Sequence, residues 1–531
     1  MKFRASANPS FPKLAWVADV NQSGGLVTLL HGRAVEVRAD FFIEGVWNGP
    51  FEKGEFADSE CVFGTGGIVS TDGVRFVTSA STVDYLYYTE DNTRVRVSNS
   101  LPLLLAYIHD ALDPRCSDYP AICDSVMDGI NAYRRDIPTR KGAVRRLTYR
   151  NLDVSRNTIS ESEKTMPPRF QSFKDYQDYL LANYALIAAN ARDRARIEPF
   201  EICSTQSTGY DTTAVNAIAK RYGIDKVFTV SQAKSNFYLA HHDAGKLPSD
   251  DGGEICRSLG LKFIRLNRRA FAEEFEDESL FYCALHHNQD ANLKDIAKHL
   301  SKVTLLLTGT YGSIWDTKKC FSNRVILDSA MRRSDLSGHG FSEFRLVVGF
   351  IQLPFPYLGA RQMQDILEIT ESSEMDPWRL GNGYDRPISR RIAEEAGVPR
   401  QLFGQSKKGS VVIFSMPSIP YGKALRREFF DYLAANNVMR RSTTWLWPIV
   451  RWVNSILMLK REDRFAVVHY TERVISKVSG QNFQFKRMWS NLDGALYCFC
   501  VNKAAKTYFK HLSETEPFHA TEATTENQRS G

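Results

Sequence analysis

The chain has 531 residues and a formal net charge of +7 at pH 7, with 24% charged and 43% hydrophobic residues. This length predicts two or more domains with large cores, and the composition is that of a soluble globular protein. The mild positive charge permits a small anionic ligand. Because the chain has no dense Lys/Arg run, we expect no nucleic-acid partner.

The N-terminus and the cysteines predict a cytoplasmic protein. The start, Met1-Lys2-Phe3-Arg4, lacks the apolar stretch of a signal peptide. The nine cysteines are odd in number and scattered, which favours reduced thiols. Neighbours in the pairs His241-His242 and His286-His287 would not share a helix face, so we expect no structural metal there.

Residues 1 to about 150 have a β-rich pattern. The turn Thr71-Asp72-Gly73 lies between two apolar runs, and Asp-Gly in that setting predicts a hairpin. A second hairpin is predicted around Glu90-Asp91-Asn92, followed by a short helix at 101–112. Polar residues and a Pro pair at 151–170 predict an interdomain linker.

From residue 200 onward the pattern alternates between strands and helices. After a predicted helix at 173–194, strands are predicted at 200–204, 226–231, 261–266 and 303–307, with helices at about 211–222, 251–259 and 291–300 between them. Alternation of this kind predicts a parallel, doubly wound sheet. In such sheets ligands bind beyond the carboxyl ends of the strands.

The most informative segment is Cys203-Ser204-Thr205-Gln206-Ser207-Thr208-Gly209-Tyr210-Asp211-Thr212-Thr213. It predicts a strand, a tight turn and a helix N-terminus, where unpaired N–H groups and the helix dipole can bind phosphate. Gly209 allows close approach of a ligand, and Asp211 supplies a carboxylate of the kind that magnesium prefers. Ser207, Thr208 and Thr212 add hydroxyl groups. The alternative is an ordinary strand-to-helix turn with Thr caps.

The C-terminal part is predicted to be helical over 360–440, mixed or helical over 441–512 and disordered over 513–531. The apolar segment at 445–453 is too short to cross a bilayer, and it favours a buried or partner-facing helix over a membrane-surface helix. Arg386 stands at the start of a predicted helix and is a candidate for binding phosphate or carboxylate. The alternative is that the charges there form a solvated helix face.

Several motifs resemble those of known enzymes. The run Ser207-Thr208-Gly209-Tyr210-Asp211-Thr212 resembles the Ser-Gly-Gly-x-Asp-Ser pyrophosphate loop of the N-type ATP pyrophosphatases. The turn Thr308-Gly309-Thr310-Tyr311-Gly312 resembles the second loop of asparagine synthetases. Leu353-Pro354-Phe355 and Gln405-Ser406-Lys407-Lys408-Gly409 are similar to that family's Pro-Phe-Leu and Arg-x-Lys-x-Gly elements. Together with the N-terminal motifs at 85–88 and 97–100, these matches cover most of residues 60 to 410.

The N-terminal hairpins resemble the end of a glutamine amidotransferase domain, through Tyr85-Leu86-Tyr87-Tyr88 and Val97-Ser98-Asn99-Ser100. The resemblance implies an α/β protein with two parts. Residues 1–150 would form a β-sandwich-like amidotransferase domain. Residues 171–440 would form a doubly wound, parallel-sheet ATP pyrophosphatase domain with a helical C-terminal part.

The resemblance also implies a chemistry, in which ATP activates a carboxylate as an acyl-adenylate and an amine then attacks the acyl carbon. It implies that Ser207, Thr208, Gly209, Thr212 and Gly309 bind ATP, with pyrophosphate on the loop N–H groups. It implies magnesium on Asp211. It also implies that Lys407, with Lys408 as the alternative, stabilises charge at the reacting phosphate.

Three departures from the family bear on activity. Position 2 is Lys2, and the first cysteine is Cys61, so the N-terminal nucleophile of a glutaminase is missing. Ser313-Ile314 replaces the acidic pair after the second loop, which leaves Asp316 as the substitute magnesium ligand. Thr208 replaces a glycine and narrows the first loop.

Two functions follow from these departures. The first is a ligase that uses ATP and Mg²⁺, takes small-molecule carboxylate and amine substrates and does not use glutamine. The second is a catalytically degenerate binding or scaffold protein of the same fold, acting in a biosynthetic pathway. The sequence is compatible with either a monomer or a homodimer. We expect no stable membrane insertion.

Overall fold

The structure, a computed structural model, describes residues 1–232, 235–236, 249–267, 277–284, 290, 292–320, 328–408, 412–413, 419–438, 473–480 and 485–513. These residues form a mixed α/β protein with mainly antiparallel sheets in the N-terminal part and a parallel sheet after it. The general α/β prediction is thereby confirmed. The predicted apolar helix at 445–453 and most of the predicted tail at 513–531 lie outside the described residues, as do both histidine pairs.

Two sheets make up the N-terminal part. The seven-stranded sheet has the order β1-β3-β2-β9-β8-β11-β10 and the six-stranded sheet the order β13-β12-β7-β6-β5-β4. The strands are β1 Lys2–Ala7, β2 Trp16–Asn21, β3 Leu26–His31, β4 Glu36–Val37, β5 Phe41–Val46, β6 Phe63–Val69, β7 Gly73–Val77, β8 Leu86–Glu90, β9 Arg94–Ser98, β10 Asp136–Pro138, β11 Ala143–Leu147, β12 Asn151–Ser155 and β13 Ile159–Ser162.

The inner faces of these two sheets share one apolar core. Trp16 of the first sheet stacks on Phe76 of the second at a ring distance of 6.0 Å, and Phe42 meets Trp16 edge-on at 5.0 Å. All three rings are fully buried. Alternation along β3, where every second residue is buried, directs one side of the strand into this core.

The predicted linker at 151–170 is wrong over its first part. Residues 151–155 and 159–162 form β12 and β13, and β12 pairs with β7 in antiparallel register, with Leu152 opposite Phe76. The polar residues that suggested a linker alternate with buried ones, since Leu152 and Val154 point into the core. The N-terminal β-region therefore extends to Ser162.

The five-stranded parallel sheet has the order β17-β15-β14-β18-β19. Its strands are β14 Glu201–Gln206, β15 Lys226–Thr229, β17 Phe263–Arg265, β18 Thr304–Thr308 and β19 Phe350–Pro354, and a short parallel pair joins β16 Ser235–Asn236 to β20 Val412–Ile413. The first four strands confirm the predicted ones, and β19 was not predicted. The strand order reverses between β14 and β18, which makes the carboxyl end of these two strands the expected ligand position.

The helices lie mainly in the second part of the chain. They are α1 Leu101–Tyr107, α2 Tyr119–Asp124, α3 Phe173–Ala191, α4 Tyr210–Ala219, α5 Gly253–Ser258, α6 Glu278–Phe281, α7 Asn292–Lys298, α8 Ser342–Val348, α9 Met363–Glu371, α10 Pro387–Glu395, α11 Lys423–Ala435 and α12 Phe485–Ser513. Of the helices in the described part of the chain, none combines the length and apolarity needed to cross a bilayer.

Candidate functional site

The loop after β14 is closed by its own hydroxyl groups. The Ser207 N–H donates to Thr212 Oγ1 at 3.1 Å, and the Gly209 N–H donates to Ser207 Oγ at 3.1 Å. Gly209 is the N-cap of α4, and the Thr213 hydroxyl donates to its carbonyl oxygen at 2.7 Å. These bonds hold the first turn of a ten-residue helix at the carboxyl end of the sheet. The predicted strand, turn and helix N-terminus are confirmed here.

Asp250, in the segment just before α5, binds the same loop. One oxygen of its carboxylate accepts both the Thr208 N–H at 2.9 Å and the Thr208 hydroxyl at 2.6 Å. Lys408 lies beside this contact, with its Nζ 2.8 Å from the Ser249 carbonyl oxygen and 3.4 Å from Thr208 Oγ1. An anionic group therefore already sits on an N–H group that was expected to bind pyrophosphate.

The second glycine turn packs directly against the first loop. A Cβ added to Gly312 would lie 2.0 Å from Asp211 Cγ, and one added to Gly309 would lie 2.7 Å from Asp211 Cβ. Tyr311 between them has φ of 71°, a left-handed backbone that costs free energy for a residue with a side chain. Its ring stacks on Tyr357 at 4.6 Å, and its hydroxyl donates to the Arg332 carbonyl oxygen, which together hold the turn in place.

Arg386 joins the two predicted magnesium ligands. Its Nη1 donates to Asp211 Oδ1 and its Nε donates to Asp316 Oδ1. Arg386 is only 6% exposed, whereas the side chains of Asp211 and Asp316 are 26% and 13% exposed. Burial disfavours the charged forms of both Arg386 and Asp316. It raises the pKa of Asp316 although Arg386 opposes the shift, while the two carboxylates keep the pKa of Arg386 above its usual value.

The two predicted catalytic lysines lie at the rim of this group of residues. Both are exposed, and Lys407 exerts a favourable electrostatic effect on Asp316. Of the pair that replaces the family's acidic residues, Ile314 is fully buried and Ser313 is half-buried in a 3₁₀ turn. The structure thus brings all the predicted site residues together, on segments 207–212, 309–316 and 407–408.

Sequence reasoning missed Asp250 as a site residue and assigned Arg386 only a possible ligand contact. Asp250 could have been found, because Ser249-Asp250-Asp251 is an acidic segment at the start of the predicted helix at 251–259. The ion pairs of Arg386 could not, because they join residues 70 and 175 positions apart.

The N-terminal β-region offers no counterpart to a glutaminase nucleophile at the predicted places. Lys2 lies exposed in the edge strand β1. Cys61 is fully buried against the Tyr179 hydroxyl at 3.4 Å, and burial raises the pKa of its thiol well above the usual range. A thiol held in its neutral form is a poor nucleophile.

The site contains several groups of the kind that bind phosphate, whereas its two candidate magnesium ligands are engaged by another side chain. A loop at a helix N-terminus, three hydroxyl groups and two lysines are the groups that bind phosphate. Both carboxylates available for magnesium are instead bound to Arg386. Within the described ranges, no group of three or more His, Cys, Asp or Glu residues is arranged to hold a metal ion. The expected magnesium therefore stays a prediction that this geometry does not favour.

Comparison with known proteins adds no assignment to this site. No protein-family model matches the chain, and a search of curated proteins found no match.

Proposed function

We propose that this chain is an ATP-dependent, adenylate-forming ligase of the asparagine synthetase type that does not use glutamine. The observation that carries the proposal is the contact of the first loop with the second glycine turn, around Asp211, where the strand order reverses. Open α/β sheets bind their ligands at this position. Residues chosen from three distant motifs are neighbours there, as a shared role requires.

The proposed reaction has two steps. In the first, a carboxylate oxygen of the substrate attacks the α-phosphorus of ATP, the new O–P bond forms, and pyrophosphate leaves. In the second, an amine attacks the acyl carbon, the C–N bond forms, AMP leaves and the amine loses a proton. Catalysis of these steps depends on positioning and on neutralising phosphate charge.

The chain's own groups can supply both the positioning of the substrates and the neutralisation of phosphate charge. The hydroxyl groups of Ser207 and Thr212 and the N-terminus of α4 would bind the phosphates, and Lys407 and Lys408 would offset their negative charge. Because Lys2 and the buried Cys61 provide no glutaminase nucleophile, the nitrogen source would be ammonia or a substrate amine.

The test is pyrophosphate release from ATP, measured across a panel of small carboxylates and amines. Asp211→Asn should lower the rate at least about tenfold, because it removes a charge at the contact of the two loops. Asp178→Asn is the matched control, since Asp178 is exposed on α3 and pairs only with Lys174 one turn away. Equal pyrophosphate release from wild type and Asp211→Asn would refute the proposal.

A second candidate function is a non-catalytic binding protein on the same fold. Two observations favour it. The Thr208 N–H of the loop already donates to the Asp250 carboxylate, and the buried Ile314 stands where the family has an acidic residue. Calorimetry with ATP separates the two candidates. ATP binding together with substrate-dependent pyrophosphate release supports the ligase, whereas no binding at millimolar ATP supports the scaffold.

A further inference from the structure

We propose that Arg386 is the built-in cation of this site, so that the chain binds ATP without a divalent metal ion. The inference rests on the proposed nucleotide site and specifies its ligand as the metal-free nucleotide. Its starting point is the guanidinium group that lies between Asp211 and Asp316 and donates to both. A divalent cation would need these same two carboxylate groups.

The guanidinium is fixed in this position by its own element. Arg386 is the N-cap residue of α10, and Pro387 follows at the first helical position, where its ring restricts the backbone. The guanidinium carbon also lies 5.7 Å from the centre of the Tyr384 ring. Since the guanidinium side chain is only 6% exposed, its displacement by a hydrated metal ion would require breaking two partly buried ion pairs.

Among the described residues, the rest of the site offers few further metal ligands. Position 313 is a serine and Ile314 is fully buried among apolar groups, so neither supplies a carboxylate. Asp250, the other carboxylate at the first loop, accepts two hydrogen bonds from Thr208. A site for Mg²⁺ in proteins normally combines one or two carboxylates with water and phosphate oxygens, and here one oxygen of each candidate carboxylate accepts from Arg386.

The cationic groups that remain can bind phosphate directly. Lys408 lies within 3.4 Å of the first loop through Thr208 Oγ1, and the field of Lys407 reaches Asp316. Arg386 pairs with both carboxylates, and Lys407 adds a favourable electrostatic effect on Asp316. Lys407, Lys408 and the N-terminus of α4 remain as positive groups near the expected phosphates.

The first experiment uses the wild-type full-length protein and needs no variant. ATP is titrated calorimetrically once with excess magnesium chloride and once with excess EDTA. We expect the two dissociation constants to agree within about threefold. A dissociation constant that rises about tenfold or more in EDTA would overturn the inference.

The second experiment titrates Mn²⁺ alone and follows the free ion by electron paramagnetic resonance. Wild type should leave Mn²⁺ free, whereas Arg386→Met should bind one ion because it releases two carboxylates. The double variant Arg386→Met/Asp316→Asn should lose this gain. Arg391→Met is the matched control, because Arg391 lies on the same helix but pairs with Glu374 and Glu395.

The outcomes distinguish this inference from the proposed function. Absence of ATP binding in both buffers refutes the nucleotide site. The Mn²⁺ titration still decides whether Arg386 or a divalent cation binds to Asp211 and Asp316. Binding of Mn²⁺ by wild type refutes the inference whatever ATP does. If Arg386→Met does not fold, as its circular dichroism would show, the two wild-type titrations decide.

Discussion

At Gly312 the backbone lies so close to the Asp211 carboxyl group that no side chain fits between them. This contact explains why the second turn needs glycine although its φ is not in the left-handed region. Tyr311 takes the left-handed conformation instead, and its ring is buried against Tyr357. The two residues together set the distance between the two loops.

Gly312→Ala is therefore expected to disrupt the site. The added Cβ would overlap Asp211 Cγ, and relief of such an overlap costs about 1–3 kcal/mol of stability or displaces the loop. We expect ATP binding to weaken at least about tenfold in calorimetry. Gly383→Ala is the control, since a Cβ at Gly383 meets nothing within 4 Å. An unchanged dissociation constant in Gly312→Ala would show that ATP does not use this contact.

Asp250 gives a prediction of the opposite sign. Its carboxylate sits on the Thr208 N–H and repels a phosphate there, so Asp250→Asn should tighten ATP binding while keeping an acceptor for Thr208. Asp250 is buried, so removing its unit charge beside a phosphate should be worth at least about 1 kcal/mol, or about fivefold in the dissociation constant. Asp251→Asn, which breaks a pair with Arg265, is the control. Weaker binding in Asp250→Asn would mean that the charge orders the loop.

At the scale of elements, the sequence predicted the strands whose apolar runs are bounded by turns. Strands β14, β15, β17 and β18 are of this kind. Strands β12 and β13 are short and carry polar outward residues, which predicts a linker. Only the pairing of β12 with β7, and of β13 with β12, reveals them. Strand β19 was not predicted, because Leu353-Pro354-Phe355 was interpreted as a motif rather than as a strand ending in proline.

The site was predictable wherever it depends on strand ends. The rule that parallel strands expose their carboxyl ends on one edge suffices to bring Asp211 and Gly309 together. The partners of those residues depend on tertiary packing. Arg386 comes from α10, which packs on α4 through buried contacts such as that of the Arg390 guanidinium with the Tyr210 hydroxyl at 2.6 Å. No local pattern predicts that distance.

Helix α8 carries a titratable group between three elements. Glu343 accepts from Ser100, the N-cap residue of α1, and from Tyr508 of α12 at 2.7 Å. Burial raises the pKa of Glu343 to about 7 from its ordinary 4.5, against the effect of these hydrogen bonds. The folded state therefore binds more protons than the unfolded state between these two pH values, and the free energy of unfolding falls as pH rises through this window.

Glu343→Gln should remove this pH dependence. Wild type should lose up to about 3 kcal/mol of stability relative to the variant between pH 4.5 and pH 7, with no further loss above it. Urea unfolding of both proteins across that range measures the difference. Glu368→Gln serves as a control on the neighbouring helix α9. Parallel curves for wild type and Glu343→Gln would contradict a raised pKa.

At the scale of the whole molecule, buried charges link the N-terminal β-region to the part with the parallel sheet. Arg345 of α8 makes a bidentate contact with Glu44 at 2.9 and 3.0 Å, and its Nε lies 2.8 Å from Asp84. The three side chains are at most 3% exposed. The group has one cation and two carboxylates, so loss of the guanidinium leaves both carboxylates buried without their cationic partner.

The last prediction follows from this dependence. Arg345→Met leaves two buried carboxylates and should cost about 3–5 kcal/mol of unfolding free energy. The triple variant Arg345→Met/Glu44→Gln/Asp84→Asn removes all three charges and should recover part of that loss, although it contains more substitutions.

Calorimetric unfolding measures the stability of both variants. We expect one transition in wild type because the two parts of the protein share these ion pairs. A triple variant less stable than Arg345→Met would show that the remaining hydrogen bonds of Glu44, to Thr65 and Asn99, matter more than charge balance. Two separate transitions in wild type would show that the two parts unfold independently despite the buried pairs.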